Sequence, residues 1–325
     1  MKRSPILSIS ATVLIMFPLV YSCIKDTKTT IAVIPKGTSH VFWKSVHAGA
    51  KKAENELGIE IIWQGPEKED DRQMQIQVVQ NFISRGVDAI VLAPLDDVAL
   101  VRPVRAAAKR KIPTVIIDSD LKSEDYVSFV ATDNFEGGKI AARELARLCE
   151  GRGNILLMRY AEGSASTAKR EEGFLYGIRE FAPDAVLVST DQYAGVTAES
   201  ALQTGQNLIN KYAELDGIFC PNESTTFGML RALQTAGKAG NVVFVGFDAS
   251  GPLTEALQKE EIHALVVQNP FNMGYLGVTT AVQSLTGKPV KKRIDTGAML
   301  VTKENFSTPD VQQAISPALD KWLEE

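Results

Sequence analysis

Seven polar residues stand where short apolar runs end, and their types suit reading hydroxyl groups more than breaking bonds. Lys36 and His40 follow the run 30–35, Asp118 follows 113–117, and Arg170 lies near a helix start. Asn222 follows 217–221, Asp248 follows 242–247 and Gln268 follows 263–267. In parallel α/β sheets ligands sit outside the carboxyl ends of the strands, so such residues converge on one cleft. The set mixes donors with acceptors, as a pocket for a polyhydroxyl compound requires. Asp118, Asn222 and Asp248 are also good helix caps at such positions, and taken singly they support capping equally well.

Motifs for catalysis fit poorly. Gly137-Gly138-Lys139 lacks the leading glycine spacing and the Ser/Thr of a phosphate loop. Gly151-Arg152-Gly153 lacks the third glycine of a dinucleotide fingerprint and precedes its strand. There is no nucleophile elbow, and the three histidines, His40, His47 and His263, lack metal-ligand spacing. Asp118-Ser119-Asp120 is a lone D-x-D that a strand-end turn explains. The expectation is a binding protein with no catalytic residue, cofactor or metal.

The elements that would position these residues alternate in type. Apolar, β-branched runs begin at Thr30, Ile59, Asp88, Pro113, Asn154, Ala185, Gly217, Val242 and His263. Helical patterns lie between them; Met74, Val78, Val79, Phe82 and Ile83 mark one such face. Strands without polar alternation imply parallel sheets covered on both faces. Nine strands are too many for one small sheet, so the fold class is α/β: two Rossmann-like, doubly wound lobes joined by a three-segment hinge. The pattern breaks after Asp118 and runs extended from 128 to 133; it breaks again at Asn269-Pro270 and at 294–297. The expected lobes are 30–131 with 269–295, and 132–268 with 296–325.

At 325 residues, with 45% hydrophobic and 23% charged content, the chain has the composition of a globular protein with a full core. Residues 1–22 read as a signal peptide: Lys2 and Arg3 precede a mainly apolar run that carries Pro18. The sequence 20–23 resembles a bacterial lipobox, making Cys23 the expected lipidation site and 23–29 a tether; a plain cleaved signal is the alternative. Cys149 and Cys220, each in an apolar stretch, read as free thiols, with their pairing left open. Loss of Lys2 and Arg3 takes the formal charge from -4 to -6, which argues against nucleic acid. The cluster Lys291-Lys292-Arg293 reads as a solvated edge.

Several stretches together resemble the periplasmic ribose-type sugar-binding proteins. They are Thr30 to Ile34, Ala131 to Asn134 with Gly137 to Ile140, Arg170 to Phe174, Asn222 with Gly228 to Gly237, and Val245 to Asp248. The resemblance covers essentially the whole exported chain. It implies a two-lobe clamp with three crossovers, most simply a monomer, that closes on a small carbohydrate and presents it to an ABC permease in the membrane. Sugar-responsive repressors share the fold but carry a DNA-reading module where this chain has a signal peptide. The ligand contacts implied are Phe42, Trp43, Asp118, Asn134, Arg170, Tyr193, Asn222, Asp248 and Gln268, with Phe42 and Trp43 as one aromatic wall and Tyr193 as the other. Lys36, His40 and Ser119 complete the expected ligand-binding set. His40 stands where ribose binders have asparagine and Ser119 where they have arginine, which removes a forked donor and makes ribose itself doubtful. A pentose, hexose or polyol is the first expectation. The alternatives are a sugar-derived signal such as autoinducer-2, which Ile34-Pro35-Lys36 and Asp118-Ser119-Asp120 also resemble, and a sensor input domain for a membrane kinase.

Overall fold

A computed structural model describes residues 28–316 and 319–323; the expected signal peptide and Cys23 lie outside them. Strand and helix alternate from the start: β1 (Thr30–Ile34), α1 (Val41–Leu57), β2 (Glu60–Trp63), α2 (Arg72–Arg85), β3 (Ala89–Leu92), α3 (Val101–Lys109), β4 (Thr114–Ile117) and β5 (Ser128–Ala131). The chain then builds α4 (Asn134–Leu148), β6 (Arg152–Arg159), α5 (Ala165–Phe181), β7 (Asp184–Tyr193), α6 (Ala198–Lys211) and β8 (Gly217–Phe219). After these come α7 (Glu223–Thr235), β9 (Val243–Phe247), α8 (Gly251–Gln258) and β10 (Ala264–Gln268). It ends with α9 (Pro270–Leu285), β11 (Arg293–Asp295), β12 (Ala298–Thr302), α10 (Pro309–Ile315) and a 3-10 turn at Leu319–Lys321.

Two six-stranded sheets result, ordered β11-β5-β4-β3-β1-β2 and β12-β10-β9-β8-β6-β7. The first is parallel throughout; in the second only β12 runs antiparallel, beside β10. Both orders reverse beside the first strand of the unit, between β1 and β3 and between β6 and β8. Such a reversal opens a crevice at the carboxyl ends of the strands. The central strands are buried along their length, which is why they read as unbroken apolar runs. Strands β5, β11 and β12 are additions to the nine expected from sequence, β5 falling on the stretch expected only to run extended. Strands β11 and β12 flank the third crossover, and β11, three residues with Arg293 and Asp295 at its ends, is too short and polar to stand out.

The chain passes between sheets at 132–133, at Asn269 and at 296–297. Asp295 Oδ1 accepts from Asp133 N at 3.1 Å and Gly297 N at 2.9 Å, tying the first crossover to the third. Asn269 caps α9, accepting from Asn272 N at 3.0 Å, with Pro270 as the first helical residue. One expected allotment needs correction. The turn at 319–321 packs on α1, and the Trp322 ring lies 6.5 Å from Phe271 of α9, so the end of the chain rests on the first lobe.

Glycines set the closest helix pair of each lobe. A Cβ on Gly49 would stand 1.8 Å from Phe271 O, and one on Gly274 2.0 Å from Val46 O. In the second lobe the same reciprocal contact joins Gly138 to Arg170 O and Gly173 to Phe135 O, each at 2.0 Å. Gly138 is thus there for backbone approach between α4 and α5, and that approach seats Arg170. Cys149 and Cys220 are free thiols.

Candidate functional site

Asp118 follows β4 and Asp248 follows β9, equivalent strands in the two sheet orders. Both adopt left-handed backbone, φ 61° and 67°, a region that aspartate enters more readily than most residues. Neither caps a helix: no helix follows Asp118 before β5, and α8 is preceded by Ser250. Asn222 does both jobs, accepting from Thr225 N at 3.3 Å as the cap of α7 while lining the cleft.

Arg170, in the second turn of α5, is 2% exposed. Its Nε donates to Asn134 Oδ1 at 2.8 Å and its Nη1 to Pro221 O at 2.9 Å, and its guanidinium stacks 4.0 Å from the Phe247 ring centre. Nη1 lies 3.9 Å from Asp248 Oδ2. On the opposite lobe the Lys36 ammonium meets Asp118 Oδ2 at 2.7 Å and donates to Ser166 Oγ at 3.1 Å across the cleft.

Glu69, from the loop before α2, is the centre of a second network. Its Oε1 accepts from Trp43 Nε1 at 2.7 Å and lies 3.3 Å from His40 Nδ1; its Oε2 accepts from Tyr160 Oη at 2.7 Å. Burial alone would lower the His40 pKa, but the Glu69 carboxylate overrides it and raises it to about 9. For Glu69, burial opposes ionisation, yet His40, Lys36 and Trp43 together hold it down to about 2. Both are charged at neutral pH. Glu223 behaves differently: burial, with Asp248 nearby, pushes it up to about 7 against the pull of His40.

Of the expected residues, Lys36, His40, Phe42, Trp43, Asp118, Arg170, Asn222, Asp248 and Gln268 line one cavity. Three do not. Ser119 is buried one layer back, where its Oγ accepts from Ser166 N at 3.0 Å. Asn134 also sits behind the lining and orients Arg170. Tyr193 is 41% exposed at the end of β7, an outer strand, where its hydroxyl accepts from Arg159. The aromatic that the second lobe contributes is Tyr160, after β6. Sequence reasoning also missed Glu69, Ser164, Ser166, Thr167 and Glu223, all in the lining. The strand-end rule, applied to β6, would have found Tyr160. Nothing separates Glu69 from its charged neighbours Glu67, Lys68 and Asp70.

The lobes are closed. Besides the bonds of Tyr160 and Ser166, Asp97 N donates to Gly163 O at 3.0 Å across the gap. The cavity left is about 30 Å³, whereas small-molecule pockets run to about 300–1,000 Å³. A ligand therefore needs the lobes to part and these side chains to exchange partners. A larger hollow, about 790 Å³ at Lys52, Asn269, Tyr275 and Trp322, lies away from this convergence of buried charge. Among the described residues no cluster of His, Cys, Asp or Glu could hold a metal ion.

Two sheets with a shared strand order, three crossings and a charged cleft between them define a hinged binding protein. Residues 31–289 match the periplasmic binding protein domain, and the chain belongs to that family. It is 29% identical over 277 residues to the ribose import binding protein of Salmonella typhimurium, spanning 85% of this chain and 92% of that one. It is 27% identical over 261 residues to a D-allose-binding periplasmic protein of Escherichia coli, spanning 78% and 83%. Among solved structures, a carbohydrate transporter solute binding protein of Agrobacterium radiobacter in complex with D-arabinose superposes with a TM-score of 0.86, at 34% identity, over 89% of this chain and 99% of that one. An ABC transporter solute binding protein of Agrobacterium vitis with bound D-fucose gives 0.84 at 38% identity, over 88% and 99%.

Proposed function

We propose that this protein is the solute-binding component of a carbohydrate ABC transporter, closing its lobes on a monosaccharide and delivering it to a membrane permease. The observation that carries this reading is the cleft itself. Equivalent aspartates from the two lobes, Asp118 and Asp248, meet there with Arg170, Asn222, Gln268 and the rings of Phe42, Trp43 and Tyr160. Hydrogen-bonding groups around aromatic faces suit a sugar, whose C–H faces pack on rings while its hydroxyls pair at the rim. The relatives and solved structures bound to D-arabinose and D-fucose support it.

The charges narrow the class to neutral sugars. Lys36 faces Asp118, His40 faces Glu69 and Arg170 faces Asp248, so each cation is already matched. A sugar acid would bring a buried charge without a counter-ion, at a cost of several kcal/mol. The protein acts as a monomer and without turnover, and it is exported by residues 1–22 and held at a membrane by lipid on Cys23. Thermal-shift screening against aldoses, polyols and sugar acids tests the reading. Stabilisation by one or a few neutral sugars is expected; stabilisation by sugar acids alone would refute it.

A further inference from the structure

The acceptors left open in the cleft are not confined to the paired aspartates: Asp118 Oδ2 makes no hydrogen bond but has the Lys36 ammonium as counter-ion, whereas two others have neither. Both oxygens of Asp248 are engaged within the protein: Oδ1 accepts from Gln268 Nε2 at 2.7 Å and Oδ2 from Glu223 N at 3.1 Å. Asp118 Oδ2 is met by Lys36. Glu223 Oε2 and Gln268 Oε1, on either side of Asp248, are buried with no partner. An unpaired buried acceptor costs about 1–3 kcal/mol, so a donor arriving there is strongly favoured. Glu223 is also placed to sense closure, because Phe42 and His40 of the opposite lobe line the same cavity.

We propose that Glu223 is a specificity-determining residue, its Oε2 accepting from a hydroxyl of the bound neutral sugar at the corner shared with Gln268. This rests on the sugar-binding reading above. The alternative is that Glu223, an acidic residue in the first turn of α7, merely complements the helix dipole. Its oxygen points into the cleft lining rather than to solvent, which that role does not require.

A proton linkage follows. A hydroxyl donating to Glu223 favours the ionised carboxylate, and burial holds that carboxyl near 7 in the free protein. Binding therefore expels a proton around neutrality, and affinity rises with pH. If only the ionised form binds, Kd falls about tenfold from pH 6 to 8. The charged groups facing Glu223 are His40 at the head of α1, Glu69 in the loop before α2, and Asp248 after β9. His40, held at about 9, and Glu69, held at about 2, keep their charge across that range. Asp248 is raised by burial, so the carboxyl of Glu223 must be separated from it by substitution.

The test is calorimetric titration of wild type and Glu223→Gln with D-arabinose, D-fucose, D-allose and D-ribose at pH 6, 7 and 8. Runs at pH 7 in phosphate and in Tris measure proton release. Wild type should release about half a proton at pH 7. In Glu223→Gln the release and the pH slope should vanish, with binding at pH 8 about 3- to 10-fold weaker as a charged acceptor becomes neutral. A variant that keeps the wild-type slope and proton release overturns the proposal, even if its Tm drops, because a helix-dipole role moves stability alone. Absence of wild-type binding to all four sugars overturns the sugar reading and this proposal with it.

Discussion

Tyr160→Phe should loosen the clamp before any ligand is added. The hydroxyl donates at 2.7 Å to Glu69, joining the loop after β6 in one lobe to the loop before α2 in the other. Both groups are buried, and the acceptor stays ionised because its pKa is held at about 2. A hydrogen bond to a charged group contributes about 1.5–3 kcal/mol net, and phenylalanine removes it with little change in shape. The closed-to-open ratio should then fall about 10- to 150-fold. The remaining cross-lobe bonds through Ser166 and Asp97 are neutral or backbone pairs, or reach a neutral hydroxyl. Small-angle scattering of the ligand-free variant should show a larger radius of gyration than wild type. Sugar affinity should fall by up to the same factor, because binding must then supply the closure. A variant with wild-type dimensions and wild-type affinity would refute the role given to this bond.

Four further outcomes are expected. Trp43→Leu should abolish most of the ligand-induced change in tryptophan fluorescence while Trp63 and Trp322 remain, and should weaken binding; unchanged affinity with a lower Tm would make Trp43 core packing alone. Gly138→Ala should cost about 1–3 kcal/mol in denaturant unfolding and also weaken sugar binding, because the added methyl pushes against the backbone of Arg170 itself. His40, raised to about 9, adds stability that is complete below about 6.5 and is lost as pH climbs through 9; Glu171 and Glu223, raised to about 7, lose theirs as pH rises through 7. Glu69, held at about 2, adds stability present above about 4.5 and lost as pH falls through 2, so Tm should be highest near pH 4.5 and decline from there toward 9, with a flatter limb above pH 7 in His40→Gln. Cys23→Ser should move the protein from the detergent to the aqueous phase on partitioning; equal aqueous partitioning of both proteins would argue for an ordinary cleaved signal.

The strands and the lobe-to-lobe passages were legible because buried parallel strands are plain apolar runs and the passages interrupt them. Residues at strand ends were legible for the same reason, as Asp118, Asn222, Asp248 and Gln268 show. What escaped lies in loops or depends on side-chain direction. Glu69 comes from the charged stretch 67–72, where only the fold determines which carboxylate turns inward. Tyr193 lies at the end of an outer strand that twists it toward solvent and Arg159, so its aromatic character says nothing of its facing. Asn134, which follows the resemblance to ribose binders, and Ser119, which departs from it, both act from behind the lining. Gly138, unsuited to phosphate, turned out to set the helix approach that carries Arg170.

Calorimetric titration of the purified protein lacking residues 1–23 with neutral monosaccharides, followed by chemical analysis of the recovered sugar, tests the central claim most directly. One sugar should bind reversibly at one per chain, with a negative heat-capacity change from ring burial, and be recovered unaltered. No heat with any neutral sugar, or recovery of a chemically changed one, would contradict a transport-type binding cleft.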